Sequence, residues 1–470
     1  MEAHSMIKDR NFYSVSALIA LCFFWGGSGF LVWSSQLGQF FDGDAVLLIT
    51  ECIGYLIQFI GVVLCGLAVK YIPKVAFSRH ILPMVGIVFV LSIITSVALN
   101  AIAFIIVGGV VANLACGYAQ GHYLTYLTCL VPQQQRGRSF AFAYALGAIG
   151  TYIVSTLCGG LYSYGVIIAI GVAIGLTTLL SHQSFPDLRS VIASQPTSTM
   201  TDMKYFRKLF VQMCALVFLF NILYKTSFYF SEIIYISGAI HVEFVRAFSA
   251  IGLVIAGIVN DRNRKYGLIT CLISLLFPFL CLTLADIPNA AAALCISCFI
   301  LLSFIMVYRA VCISDMAGKD VYLLPFAGMG LGIGRLGESL GTFIGYELRT
   351  QQIALIGILS ILFVAAVLLS FHIFQKVYTV TQSEQQKEED ALSDFESRYE
   401  LSEREKEVFR LIVAGKSNAE LADALYVSKS TIKFHIGHIL KKTKCTNRSE
   451  LIKMFRSGNG HIYSVFAEKK

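Results

Sequence analysis

Four ionisable side chains stand inside otherwise apolar stretches of this sequence: Glu51, Lys225, Arg335 and Glu338. A charge in hydrocarbon is costly, so it persists where it pairs, lines a wet space or meets a ligand. Arg335 and Glu338 are three residues apart and share one side of a helix, so they can pair with each other or with a facing group. Both readings, a structural ion pair and a ligand-binding pair, stay open. Lys225 can either reach the membrane surface along its own stem or contact a ligand. Glu51 lies about two turns into its segment, while Glu232, Glu243 and Arg246 lie toward the ends of apolar runs. No other chemistry is expected. The sequence holds no nucleophile–base set, phosphate loop or metal cluster, so no enzymatic step, cofactor or metal is anticipated. Cys295-x-x-Cys298 has no partner pair and sits in an apolar run, where small buried side chains are the simpler reading. Thirteen cysteines without secreted-type spacing argue against a disulfide framework.

A second kind of chemistry is concentrated near the C-terminus. Leu401–Gly458 carries twelve basic and six acidic residues, most of the chain's formal charge of +8. Such a basic patch is the electrostatic footprint of a nucleic-acid binder. The same segment repeats one helix-start design, with Ser402-x-x-Glu405, Ser417-x-x-Glu420 and Asn447-x-x-Glu450 each placing a cap acceptor three residues before a carboxylate. Ser428 supplies a fourth cap, and Gly415 ends the first helix. Four short helices are therefore predicted near 402–414, 418–425, 429–443 and 447–456. Leu421, Leu425, Val427, Ile432, Ile436, Ile439 and Leu440 are spaced to fill one small core.

The elements that hold the four intramembrane charges follow from composition. The chain has 470 residues, 56% of them apolar and 14% charged, with a mean hydropathy of +0.70. Soluble proteins carry about 25% charged residues; this balance belongs to a polytopic membrane protein. Apolar runs long enough to cross a ~30 Å hydrocarbon core fall near 13–33, 45–69, 81–98, 101–125, 139–160, 162–180, 209–229, 244–260, 267–285, 289–308, 322–346 and 352–374. The first is a membrane helix rather than a cleaved signal, since eleven more follow it. Basic residues collect in alternate loops: Lys70, Lys74 and Arg79 after the second run, Arg136 and Arg138 after the fourth. Arg189, Lys204, Arg207 and Lys208 follow the sixth, Arg262, Arg264 and Lys265 the eighth, and Arg309 and Lys319 the tenth. The positive-inside rule then puts both termini in the cytoplasm and the chain in the cell (cytoplasmic) membrane. Domain limits of 1–374 for the membrane part (halves 13–180 and 209–374), 375–400 for a linker, 401–457 for the basic domain and 458–470 for a tail follow from this. The linker, with Glu384, Glu388, Glu389, Asp390, Asp394, Glu396 and Glu400, is expected to be solvated and flexible. It reads as a spacer or as a device that holds the tail inactive.

The six-plus-six layout resembles the major facilitator superfamily, two six-helix halves with a site between them near the midplane. Gly257-Ile-Val-Asn-Asp261-Arg262-Asn-Arg264-Lys265 is similar to that family's loop G-x-x-x-D-R-x-G-R-K, with one residue fewer before the basic pair. The equivalent Gly66-Leu-Ala-Val-Lys70-Tyr-Ile-Pro-Lys74 has lysine at the acidic position. Gly330/Gly334 and Gly337/Gly341/Gly345 repeat at four-residue intervals, a spacing for close helix approach that suits either a moving joint or static packing.

The C-terminal segment resembles the LuxR-type (GerE-like) DNA-binding domain nearly throughout. The match runs from Leu401-Ser-Glu-Arg404-Glu405-x-Glu407-Val408 through Ala414-Gly415-Lys-Ser417-Asn418-x-Glu420-Leu421-Ala422. It continues in Ser428-x-Ser-Thr431-Ile432-Lys433-x-His435 and Arg448-x-Glu450-Leu451. The resemblance implies that the third helix enters the DNA major groove and that the fourth helps form a homodimer. Lys429, Ser430, Lys433, Phe434, Gly437 and Lys441 then lie on the exposed side of the third helix. Lys433 and Phe434 match base-reading positions, where lysine donates to guanine and an aromatic ring packs on a thymine methyl. Gly437 departs from members with lysine there. Thr431, Lys441 and Lys442 are placed for phosphates, although the two lysines can instead simply solvate a helix end. His435 reads as a packed structural residue.

The expected architecture is all-α, a twelve-helix membrane bundle followed by a small cytoplasmic four-helix domain. The expected function is that of a membrane-embedded one-component transcriptional regulator, with promoter DNA, the bilayer and a small-molecule effector as partners. A transporter carrying a fused regulatory domain is the alternative.

Overall fold

The computed structural model describes residues 2–158, 164–183, 185, 200–235, 242–284, 290–413, 418–425 and 427–458. Among these residues the chain is helical throughout and forms no strand. It divides into two compact units, Glu2–Ile373 and the chain from Phe374 onward.

Among its described residues the first unit contains twelve long helices: α1 (Glu2–Leu37), α2 (Gly43–Tyr71), α3 (Ile81–Leu99), α4 (Ile102–Leu130), α5 (Arg136–Leu157), α6 (Tyr164–Gln183), α7 (Met200–Tyr235), α8 (Val242–Arg262), α9 (Arg264–Leu284), α10 (Ala290–Ala317), α11 (Met329–Leu348) and α12 (Gln352–Ile373). They follow the twelve apolar runs in order. Among the described residues nine of them, α1 to α7, α10 and α12, are long and apolar enough to cross a membrane. α11 falls short because it carries Arg335, Glu338 and Glu347 as well as six glycines. The join near Asn100 is real: Asn100 sits in the left-handed region (φ 40°) and caps α3 before α4 begins.

Helix pairing repeats between the halves. α1 packs on α5 and α2 on α4; α7 packs on α11 and α8 on α10 in the same way. The halves meet where α5 lies along α8 and α2 along α11. Glycines set these distances. A Cβ on Gly117 would come within 2.0 Å of the Gln58 carbonyl, and one on Gly252 within 2.0 Å of the Ile300 carbonyl. The glycines of α11 divide by face. Gly330 and Gly334 touch Arg309 of α10, and Gly337 and Gly341 touch backbone of α7. Close static packing therefore accounts for the stripe, and bulk at any of the four positions would push a neighbouring helix away.

Most of the basic residues assigned to loops lie within helices, and two of them are buried there. Arg309 lies within α10, which runs nine residues past the end of its apolar stretch to Ala317, and its side chain is 1% exposed. Arg136 opens α5 and is buried. In both cases the helix continues because its polar side chains turn inward between the halves, a feature that an apolar-run reading takes for a loop.

The C-terminal unit contains α13 (Val380–Arg398), α14 (Glu403–Val413), α15 (Asn418–Ala424), α16 (Lys429–Thr443) and α17 (Arg448–Gly458). The last four match the predicted helices to within two residues. The linker at 375–400 does not hold as a flexible segment. After a π-helical stretch at Phe374–Thr379 it forms α13, and Ala391, Leu392 and Phe395 enter the same core as Val408, Phe409, Ile432 and Leu451. Phe395 stacks on Phe409 at 4.6 Å, and Phe455 meets both rings edge-on at 5.3 and 5.4 Å. Among its described residues the domain thus has five helices. The Gly415 stop, the Ser417 cap and the Glu420 side chain lie outside the described residues, as do the side chains of Cys295, Cys298, Glu232, Glu243 and Arg246.

Candidate functional site

Within the C-terminal unit α16 is the exposed basic helix. Ser428 caps it, its Oγ accepting from the Thr431 N–H at 3.1 Å, and Lys444 ends it in the left-handed conformation (φ 58°). Ile432, Ile436, Ile439 and Thr443 are buried, which fixes one face against the core. Lys429, Ser430, Lys433, Phe434, Gly437, His438 and Lys441 occupy the other face, all exposed. Phe434 is 61% exposed, the only large apolar side chain so exposed among the described residues of this unit. No core contact accounts for it there, between lysines. Gly437 has open space around its Cβ direction, so the middle of the face is flat. Thr431 is half-buried, its hydroxyl 2.8 Å from that of Ser428. His438, whose ring lies 4.4 Å from Phe434, was missed in the sequence because histidine gives no specific signal.

Lys442 is not on this face. Its Nζ donates to the Glu405 carboxylate and to the Glu400 carbonyl, each at 2.7 Å, and so ties α16 to the start of α14. A phosphate would have to compete with two short bonds. Glu405 itself completes the predicted reciprocal cap: the Ser402 N–H donates to it at 2.8 Å, and its own N–H reaches Ser402 Oγ at 3.4 Å. At α17 the Glu450 N–H donates to Asn447 Oδ1, but the Glu450 carboxylate accepts from Thr446 rather than from Asn447.

Burial pushes the Glu405 carboxyl up, but the Lys442 ammonium and the Ser402 N–H outweigh it and hold the group below the usual carboxylate range. A carboxyl depressed on folding contributes stability that is complete above its unfolded value and is lost as pH falls through the folded one. Glu405→Gln in a fragment comprising residues 374–470 is therefore expected to cost about 1–3 kcal/mol at neutral pH. The gap to the parent should close toward about pH 3. Urea melts at the two pH values check this; an unchanging gap would mean that the charge is not what Glu405 contributes.

Inside the first unit the four intramembrane charges converge on one cavity of about 450 Å³ between the halves, lined from α1, α2, α4 and α5 on one side and α7, α8, α10 and α11 on the other. Glu51 and Lys225 pair at 2.7 Å. Glu51 is carried by a π-helical turn, Leu48–Ile53, a departure from α geometry of a kind that gathers at functional sites. Glu338 lies between two guanidinium groups, Arg309 at 2.6 Å and Arg335 at 2.7 Å, with all three side chains at most 15% exposed. Arg309 also donates to Asn221. Arg335 rests over the Tyr55 ring at 4.6 Å. Sequence reading placed Glu338 with Arg335 but missed Arg309. The only available signal was that Arg309 precedes Asp315 by less than two turns with no turn residue between.

A second cluster clamps the halves where α4, α8 and α10 end. Asp261 at the end of α8 accepts from the backbone N–H groups of Gly137 (2.7 Å) and Arg138 (2.8 Å), the first turn of α5. A carboxylate there satisfies orphan donors and meets the positive end of the helix dipole. Arg138 and Arg264 add ion pairs to Asp261 at 3.1 and 3.2 Å. Asp315 binds Arg136 at 3.0 Å and Arg264 at 2.6 Å. Thus Asp261 and Arg264 of the shortened Gly257–Lys265 loop are both engaged. Its counterpart differs: Gly66 contacts the Pro325 carbonyl, and Lys70 lies exposed over Tyr71.

Comparison with known proteins sorts the two units. The luxR family of bacterial regulatory proteins matches residues 399–455. The spore germination protein GerE of Bacillus subtilis (strain 168) is 35% identical over 66 residues, 14% of this chain and 89% of GerE. The uncharacterized transcriptional regulatory protein YhcZ of the same organism is 42% identical over 55 residues, 12% of this chain and 26% of YhcZ. The transcriptional regulatory protein DegU of Brevibacillus brevis is 34% identical over 76 residues, 16% and 32%. The chain thus spans about a quarter of YhcZ and a third of DegU. Among solved structures, the human organic anion transporter MFSD10 (TETRAN) superposes with a TM-score of 0.58 at 12% identity, over 77% of this chain and 99% of that one. The E. coli fucose:proton symporter FucP gives 0.57 at 14%, over 76% and 98%. These two likenesses establish a major-facilitator-like fold for the membrane unit.

Proposed function

Since the chain belongs, through its C-terminal domain, to the luxR family of bacterial regulatory proteins, we propose that it is a membrane-embedded, one-component transcriptional regulator. It resides in the cell membrane with both termini in the cytoplasm, senses a small molecule in the cavity between its halves, and binds promoter DNA as a homodimer. The observation that carries this reading is the exposed face of α16. Lys429, Lys433 and Lys441 flank a bare Phe434 there, in a chain whose other unit is built for hydrocarbon. No enzymatic step is assigned to it.

A ligand changes the output only by binding two states of the membrane unit unequally. The clamp of Asp261 and Asp315 is the natural element to differ between them, because it joins the halves on the face where α12 also ends. Separation of the halves there breaks two ion pairs, Arg138–Asp261 and Arg136–Asp315, together with the two backbone bonds to Asp261, and any effector that wedges or draws together the cavity walls biases that step. The response then reaches DNA as a change in the placement or dimerisation of the C-terminal domain.

The test uses the full chain in lipid nanodiscs, with duplexes from upstream of its own gene and scrambled duplexes as controls. Salt-sensitive binding that favours the native duplex is expected; equal affinity for both would remove the regulator reading. A second reading, a transporter with a fused regulatory domain, is favoured by the likeness to TETRAN and FucP. Solute accumulation in vesicles by the chain lacking its tail would support it, and ligand binding without accumulation would support the sensor alone.

A further inference from the structure

The charges around the cavity do not balance. Among the described residues of the membrane interior, the cations Lys225, Arg309 and Arg335 pair with two carboxylates, Glu51 and Glu338. One cation is in excess where hydration is poorest, and an unneutralised buried charge is costly. The excess has a defined outlet. Arg309 pairs with Glu338 and Asn221 and, although its Nε is unpartnered, does not line the cavity, and Lys225 is held by Glu51. Arg335 gives one nitrogen to Glu338, while its buried Nε lacks a hydrogen-bond partner. Three further polar atoms around the cavity are buried and unpartnered, Trp25 Nε1, the Tyr123 hydroxyl and Gln120 Oε1. Buried polar groups are almost always hydrogen-bonded, and four such exceptions around one cavity point to a partner that binds there. The remaining lining includes Phe23, Trp25, Phe30 and Phe299, broad apolar faces that suit a flat body.

We propose that the cavity takes a monoanionic small molecule, a carboxylate on a flat apolar body. The anion lies against Arg335 and neutralises the surplus charge, Tyr123 donates to it or to a neighbouring oxygen, and Gln120 accepts from a polar hydrogen on the ligand. This rests on the sensor reading above and specifies what is sensed.

The probes are 4-phenylbutyrate, 4-phenylbutanol and 4-phenylbutylamine, which share one body and differ in charge. Binding to the full chain in nanodiscs is followed by intrinsic fluorescence, since one of the two tryptophans, Trp25, lines the cavity. The carboxylate is expected to bind at least about tenfold more tightly than the alcohol, with the amine weakest. Arg335→Gln should erase the preference. Because that variant also disturbs Glu338, Tyr123→Phe is the second test. It removes a hydroxyl that has no partner, so melting should be unchanged or raised while carboxylate affinity falls about tenfold. Alcohol or amine binding as tightly as the carboxylate overturns the proposal, and so does the absence of carboxylate binding at about 10 mM. Carboxylate binding that leaves DNA affinity unchanged would instead count against the sensor reading alone.

Discussion

Glu338→Ala is expected to remove most of the folded membrane unit. Arg309 and Arg335 would then lie in the bundle interior without the carboxylate they share, Arg309 at 1% exposure. Removing one member of a buried ion pair costs about 3–5 kcal/mol, because the remaining charge is left uncompensated. That is a large part of the roughly 5–15 kcal/mol that keeps a domain folded. Detergent extracts of cells carrying the variant should show loss of the monodisperse peak and a strongly lowered melting temperature. Glu338→Gln retains shape and an acceptor and should fall in between. Combining Glu338→Leu with Arg309→Met should recover part of the loss, since like volumes with neither charge avoid the penalty. A Glu338→Ala protein that melts with the parent would mean that water already reaches the two guanidinium groups.

The second large effect concerns α16. Lys433→Ala should weaken binding to the native duplex by 10- to 100-fold, from about 1–3 kcal/mol for a base-edge contact, and should flatten discrimination between sequences. Lys441→Ala should weaken native and scrambled duplexes alike and lower the salt slope by about one. Lys442→Ala separates the two roles assigned to that residue. Held by Glu405 and Glu400, it should lower the melting point of the domain more than its salt slope. Fluorescence anisotropy at several salt concentrations reads all three. If Lys433→Ala merely lowered the salt slope, α16 would touch backbone there and the base-reading role would be lost.

What could be read from the sequence depended on whether a signal was local. The caps Ser402, Ser428 and Asn447 act within one turn, and the helices after them appear where expected. Helix order in the membrane unit followed from apolar runs because hydrocarbon imposes a length on each. The four intramembrane charges were visible for the same reason, as polar letters in apolar text. Three things were hidden. Arg309 looked like a loop residue, since a run-based reading cannot distinguish a helix that ends from one whose polar side turns inward. The clamp joins residues 123 to 182 positions apart, Asp261 to Arg138 and Asp315 to Gln133, and nothing in either segment names the other. The apolar set Ala391, Leu392 and Phe395, with Tyr399 one turn on, was masked by the acidic residues around it, although its helical spacing was present.

That last feature changes the geography of regulation. With α13 inside the domain, only residues 374–390 separate the final membrane helix from Ala391, the first buried side chain among those described in this unit. Those seventeen residues reach at most about 60 Å when fully stretched and about 25 Å as α-helix. For the regulator proposed above, so short a leash rules out patrolling the nucleoid. The chromosome must then bring the gene to the envelope, so a promoter moved to a locus that seldom visits the periphery should lose its response to the chain with its sequence intact.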